Sequence, residues 1–219
     1  MKHQLILGML LVAGLCARGS VSYSATDNNI NTVIPNGNPV GVAFTEDVTA
    51  GASGIPANYV VSGLTVGLDI SGGYNGGLVA YLVAPNGTLV QLLNQPGSGS
   101  SPFGYGGSGL NVTLADGSPG IQTTSETPGV VFTGTYGAAG SLSSVNGSVA
   151  DGDWTLFFAN LGSGGSSGEL LNFTLNLTAV PEPVGMGLGI FGGLVGLWWL
   201  LGVIWKPSSF EKSESNMKA

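Results

Sequence analysis

Hydrophobic positions in this chain gather into short runs separated by Gly, Pro, Asn and Ser, and the longer runs alternate. The clearest is residues 171–178, where Leu171, Phe173, Leu175 and Leu177 alternate with Asn172, Thr174, Asn176 and Thr178. That is the period of a strand with one buried face. Leu64, Val66, Leu68 and Ile70 repeat the pattern over residues 64–70. Residues 78–83 are apolar on both faces, as in a central strand, and Pro85-Asn86-Gly87 turns them into residues 88–93 as a hairpin. Shorter strands are expected at 40–44, 130–133 and 154–158. Residues 94–109 and 115–128 read as exposed loops, and 134–149 as a weakly patterned connection. No amphipathic helix of useful length precedes residue 180. The pattern predicts an all-β fold over residues 40–179: two antiparallel sheets packed as a jelly-roll-like sandwich.

The two ends break this rhythm. Lys2, an apolar stretch over residues 5–15, and Ser22-Tyr23-Ser24 before Ala25 form the outline of a secretory signal peptide over residues 1–24. Cys16 lies inside it, and lipid attachment there would require a small residue where Leu15 stands. Residues 25–39, rich in Asn and Pro, read as a polar leader. At the other end residues 184–205 carry no charge. As a helix that run would measure about 33 Å, against a hydrocarbon core of about 30 Å. A transmembrane helix is therefore expected within residues 180–205, with 206–219 as a short cytoplasmic tail. Gly185, Gly189 and Gly193 would form a close-packing face, and Trp198, Trp199 and Trp205 an interfacial belt.

Charge narrows the chemistry. The 219 residues include 5 Lys or Arg, 12 Asp or Glu, one His and one Cys, for a net charge of −7. His3 and Cys16 both lie in the signal segment, and the cations are confined to Lys2, Arg18, Lys206, Lys212 and Lys218. The expected ectodomain therefore has no base stronger than a carboxylate. A Ser-His-Asp triad, a Cys-His pair, a Schiff-base lysine and a His or Cys zinc site cannot be assembled in it, so no enzyme is expected. Nucleic acid is excluded as a partner for want of positive charge. Neutral glycans and divalent cations remain.

Asp151 and Asp153 flank a glycine, and Asp69 and Glu169 could join them on one loop face as oxygen ligands for Ca2+. Two solvated turn acids are the alternative. Glu169 and Asp153 could also be named as a glycosidase pair, as could two acids in any acidic sandwich. Phe103 and Tyr105, in a Gly-rich loop, could stack on sugars or fold back over the sandwich. Asn86, Asn111, Asn146, Asn172 and Asn176 each begin an Asn-x-Ser/Thr triplet.

The order of these signals carries two resemblances. Residues 69–88, with Gly72-Gly73 before the bend and Pro85-Asn86-Gly87-Thr88 after the strand, precede Asp151-Gly152-Asp153-Trp154-Thr155-Leu156 and Gly168-Glu169-Leu170. Together they resemble the P domain (P/Homo B domain) of subtilisin-like proprotein convertases, over residues 60–177. That resemblance implies a sandwich and an accessory role beside a serine endopeptidase. Val180, Pro181, Glu182 and Pro183, with an apolar run and a basic end after them, are similar to the PEP-CTERM sorting signal of Gram-negative bacteria. It implies an exosortase-type processing enzyme at the inner membrane and a link to exopolysaccharide or biofilm matrix. The expectation is an exported, non-catalytic structural or interaction protein of the cell surface or matrix, membrane-held until it is sorted. A glycan-binding adhesion module and a protease-associated P domain are the alternatives.

Overall fold

Alternation in the sequence becomes alternation in burial. A computed structural model describes residues 19–97, 104–163, 166–182, 191–199 and 201. Residues 18–182 form one unit by themselves. Its strands are β1 (Val21–Ile34), β2 (Asn38–Asp47), β3 (Tyr59–Gly72), β4 (Leu78–Val83), β5 (Leu89–Asn94), β6 (Gly109–Leu114), β7 (Phe132–Tyr136), β8 (Asp153–Asn160) and β9 (Gly168–Pro181). One sheet has the order β1-β9-β3-β6-β7 and the other β2-β8-β4-β5. Leaving out β7, the order is that of a jelly roll, in which the chain keeps crossing between two four-stranded layers. Each layer turns its apolar side inward. Trp154, Phe158, Phe173, Leu68, Ile70 and Leu82 are among the buried side chains between them. The Trp154 indole N–H donates to the Ala150 carbonyl at 3.1 Å, so the largest core residue is buried without an unmet donor.

Several expectations need correction. The pairing is antiparallel except between β6 and β7, which run parallel in register from Leu110↔Phe132 to Leu114↔Tyr136. The predicted loops at 94–109 and 115–128 leave five residues between them, and there the chain forms β6. The polar leader over residues 25–39 is instead most of β1 and the start of β2. Its asparagines do not mark a loop. Asn29 and Asn31 adopt positive φ of 64° and 47° and form an irregularity between Asn28 and Thr32, where Asn tolerates the left-handed region better than most residues. A register shift also changes β9, so that Leu170 is buried and Leu171 is only half-buried.

The expected transmembrane helix is not supported. Among the described residues no helix is long and apolar enough to cross a membrane. Residues 191–199 and 201 are helical. The nine consecutive residues span about 14 Å, half of what a crossing requires. Gly192, Gly193 and Gly196 fall within that stretch, and each costs a helix about 1 kcal/mol relative to Ala. Residues 184–190, 200 and 202–205 lie outside the described residues.

Candidate functional site

The four acids read as Ca2+ ligands are not brought together. Ala150 N donates to Tyr59 O at 3.0 Å, and Val149 bridges Val60, which anchors Asp151 and Asp153 at the start of β3. Asp69 lies ten residues further along that strand, about 33 Å away at about 3.3 Å per residue, and Glu169 is in register with Ser71 beside it. One ion cannot reach both pairs, and the same separation removes Glu169 and Asp153 as a glycosidase pair. Asp69 accepts from Asn172 Nδ2 at 3.0 Å. Asp151 keeps one buried carboxylate oxygen without a hydrogen-bond partner. Among the described residues no group of three or more His, Cys, Asp or Glu surrounds a common point.

Of the two loop aromatics, Phe103 lies outside the described residues. Tyr105 is folded back. Its ring covers Gly97, its hydroxyl donates to Gln122 O at 3.4 Å, and its ring lies 6.5 Å from that of Phe132. Burial, with Glu126 nearby, pushes its hydroxyl pKa up. Beneath it Asn75, fully buried, donates to Gly109 O at 2.9 Å and to Glu126 at 3.0 Å, and accepts from Gly109 N at 3.1 Å. Glu126 also accepts from Gly107 N. Burial raises the Glu126 pKa, and the bonds from Asn75 and Gly107 only partly oppose it. These groups fasten loops to the sandwich edge.

The aromatic surface lies elsewhere, on the outer face of the four-stranded sheet. Tyr81 on β4 stands directly across from Phe157 on β8, which stands across from Ala43 on β2; on the other side Tyr81 faces Gln91 on β5. Their neighbours Ala80, Leu82, Leu156 and Phe158 are buried inward, so Tyr81 and Phe157 point out. The two ring centroids are 6.4 Å apart with a 37° tilt. Gln91 Nε2 donates to the Tyr81 hydroxyl at 2.9 Å, which fixes that oxygen and leaves its own proton to donate. In the next row Thr45 and Thr155 share a 3.3 Å hydroxyl contact, with Val83 and the 56 % exposed Leu89 beyond them. The result is a one-residue-thick aromatic and aliphatic platform with hydroxyl and amide groups along it. Residue pattern alone did not single out Tyr81 and Phe157, because both sit in apolar runs; only the strand register makes them neighbours.

The outer face of the five-stranded sheet is different in kind. Asn111, Asn172 and Asn176 of the Asn-x-Thr triplets all lie on it, because strand alternation sends both Asn and Thr outward. Rows such as Ser24, Asn176, Thr65 and Asn28, Asn172, Asp69, Asn111 cross the strands in register. Ser24 Oγ donates to Asn176 Oδ1, Asn176 Nδ2 to Thr65 Oγ1 at 3.2 Å, and Thr26 and Thr174 share a 3.0 Å bond. Gly63 and Gly67 help to line two hollows of about 360 and 290 Å³ that share Asn176. At the end of one, Asp116 accepts from Leu142 N at 2.9 Å, Ser143 N at 2.7 Å and Ser141 Oγ at 3.2 Å. Burial raises the Asp116 pKa, but these donated bonds outweigh it and leave the carboxyl below its ordinary value.

The sorting motif begins inside the fold. Val180 pairs with Val60 and Pro181 with Tyr59; Pro181 is buried, and Glu182 N donates to Asn58 O at 3.3 Å. Pro183 lies outside the described residues.

No family model matches the chain, and no curated protein does either. Among solved structures, the serine protease of Aeromonas sobria in complex with its chaperone ORF2 is similar at 15% identity and a TM-score of 0.46. The same protease alone gives 14% identity and 0.41. Each match covers 78% of this chain and 29% of the protease chain, so this chain corresponds to under a third of that protein's length.

Proposed function

We propose that the sandwich is an exported, non-catalytic interaction module that binds an uncharged, hydroxyl-rich polysaccharide on the outer face of its four-stranded sheet. The observation that carries this reading is Tyr81 beside Phe157, 6.4 Å apart on an outward face, with Gln91 holding the Tyr81 hydroxyl. Aromatic rings present a flat apolar surface to the C–H face of a pyranose, while Gln91, Thr45 and Thr155 supply donors and acceptors for its hydroxyls. A net charge of −7 disfavours anionic polymers, which leaves neutral ones. Delivery to the surface or matrix belongs to the same reading. The basic and then apolar N-terminal segment supports export, and Val180, Pro181, Glu182 and Pro183 support sorting by an exosortase-type enzyme.

Affinity electrophoresis of the purified chain through gels containing neutral glucan, mannan or galactan tests the binding. Retardation by at least one of them, abolished by Tyr81→Thr with Phe157→Thr, is the expected result. Equal mobility of the native chain with and without every polymer would retire it. Sorting is tested separately, by tracking the chain's size and location in a Gram-negative host with and without the exosortase-type enzyme.

A further inference from the structure

We infer that the mature protein keeps residues 20–182 intact: the N-terminal cut falls between Gly19 and Ser20, and any C-terminal cut falls beyond Glu182. This rests on the export reading above. The sequence signal at Ser22-Tyr23-Ser24 would instead place the first cut before Ala25, and the fold argues against that position. Val21, Ser22, Tyr23 and Ser24 are four of the eleven residues of β1 paired with β9, opposite Ala179, Thr178, Leu177 and Asn176. Val21 and Tyr23 pack against the core, and the Tyr23 hydroxyl donates to Glu46 on the other sheet. Burial, then that bond to Glu46, pushes the Tyr23 pKa far up, so its proton stays on the bond.

A chain beginning at Ala25 would lose this clasp between the sheets. It would also leave the Asn176–Ala179 stretch of β9 with unpaired backbone groups along a new edge. Past the apolar run over residues 5–15 and clear of β1, the small-x-small triplet is Ala17-Arg18-Gly19, which meets the peptidase's need for small residues flanking one arbitrary position. Water would hydrolyse the Gly19–Ser20 peptide bond, leaving a carboxylate on Gly19 and a free amine on Ser20. The body then starts one residue before its first strand.

The other end has the same tightness. Val180 and Pro181 are rungs of the β3–β9 ladder and Glu182 is tied to Asn58, so cleavage before or within Val180-Pro181 requires peeling β9 from the sheet. Recognition of the motif on the folded body is limited to Glu182 and the residues C-terminal to it. A bond beyond it is broken by water, or by an amine acceptor that takes the acyl group.

The test is the intact mass of the full chain expressed in a Gram-negative host that exports it, with and without an exosortase-type enzyme. Native chain beginning at Ser20 in both hosts, and ending at or beyond Glu182 where the enzyme is present, is the expected result. Gly19→Leu should reduce N-terminal processing at least tenfold, while Ser24→Leu should leave it unchanged. A new N-terminus at Ala25, or the opposite response of these two variants, overturns the N-terminal assignment while leaving export standing. A C-terminus at or before Pro181 overturns the other. A native chain retaining both ends in both hosts removes the export reading and this inference with it.

Discussion

The two outer faces of the sandwich are built on the same strand geometry and use their side chains in opposite ways. On the five-stranded sheet, Asn, Thr and Ser meet their counterparts across the strands and bond to one another, as in Ser24 to Asn176 to Thr65 and Asn172 to Asp69. Donors and acceptors are used within the face, and such cross-strand pairs each add a fraction of a kcal/mol to the sheet. On the four-stranded sheet Tyr81 and Phe157 stand half-buried on the outer side, the Phe157 ring lying against Gly41, with one amide holding the Tyr81 hydroxyl. A polar face can thus be the one that ties its own strands together, while the aromatic face is the one proposed above for binding. With no Lys or Arg between residues 19 and 182, side-chain ion pairs are excluded there, and the amide and hydroxyl ladder takes over the work that surface salt bridges do weakly elsewhere.

The largest effect is expected at Gly41, beneath the platform's edge. It sits at a φ of 65°, and a Cβ there would collide with the Phe158 carbonyl and lie 2.7 Å from the Phe157 ring. Gly41→Ala is expected to cost about 1–3 kcal/mol, read as a fall of about 2–4 °C in Tm per kcal/mol for a domain of this size. An unchanged Tm would mean that β2 does not close the sheet as described.

Tyr81→Thr with Phe157→Thr keeps strand propensity while removing both rings. At about 1 kcal/mol of stacking per ring, polysaccharide affinity should fall about tenfold or more, while a single cooperative thermal transition shows that the sandwich still folds. Asn176→Val reverses the pattern. It deletes bonds to Ser24 and Thr65, so thermal unfolding should report a loss of about 0.5–1 kcal/mol while gel retardation stays as in the native chain. Loss of retardation in this variant would move the binding surface to the other sheet.

The smallest expected effect is in pH dependence. The folded Asp116 carboxyl lies below its ordinary value of 3.8, so its stabilisation is complete above that value and is lost as pH falls through the lower folded one. Glu126 has the opposite sign: its raised pKa is a penalty on the charged form, relieved as pH falls through the raised value. Tm measured from pH 7 down to pH 3 should therefore fall less steeply in Asp116→Asn than in the native chain. It should be flatter above pH 4.5 in Glu126→Gln.

Much of the fold is legible from period alone. The runs around Leu64 to Ile70, Leu78 to Val83 and Phe173 to Leu177 become β3, β4 and β9 because burial on one or both faces leaves so plain a pattern. The misses share a cause, which is that local chemistry was outvoted by pairing. Asn29 and Asn31 favour turns, yet here they make an irregularity in an edge strand held by β9. Residues 110–114 are too short between two loops to stand out, and β7 depends on β6 for its only partner among the described strands. The candidate site was hidden for the same reason. Tyr105 is conspicuous in sequence because it stands in a glycine-rich loop, and the missing side chain of Gly97 is what lets its ring come against the backbone there. Tyr81 and Phe157 are far apart in sequence, with β5, β6 and β7 between their strands, and become a pair only through register, which no single-chain pattern encodes.

Because β1 and β9 are partners, Val21 stands opposite Ala179 and the chain enters and leaves the body at one corner. Such a body resembles a cassette more than a link. Its two ends could be spliced by a short peptide and new ends opened at the exposed Pro85-Asn86-Gly87 turn, giving a circular permutant that retains the paired terminal strands. By the same geometry it could be inserted into a surface loop of an unrelated host protein without prising that loop apart, carrying the Tyr81 and Phe157 face outward as a transplantable unit.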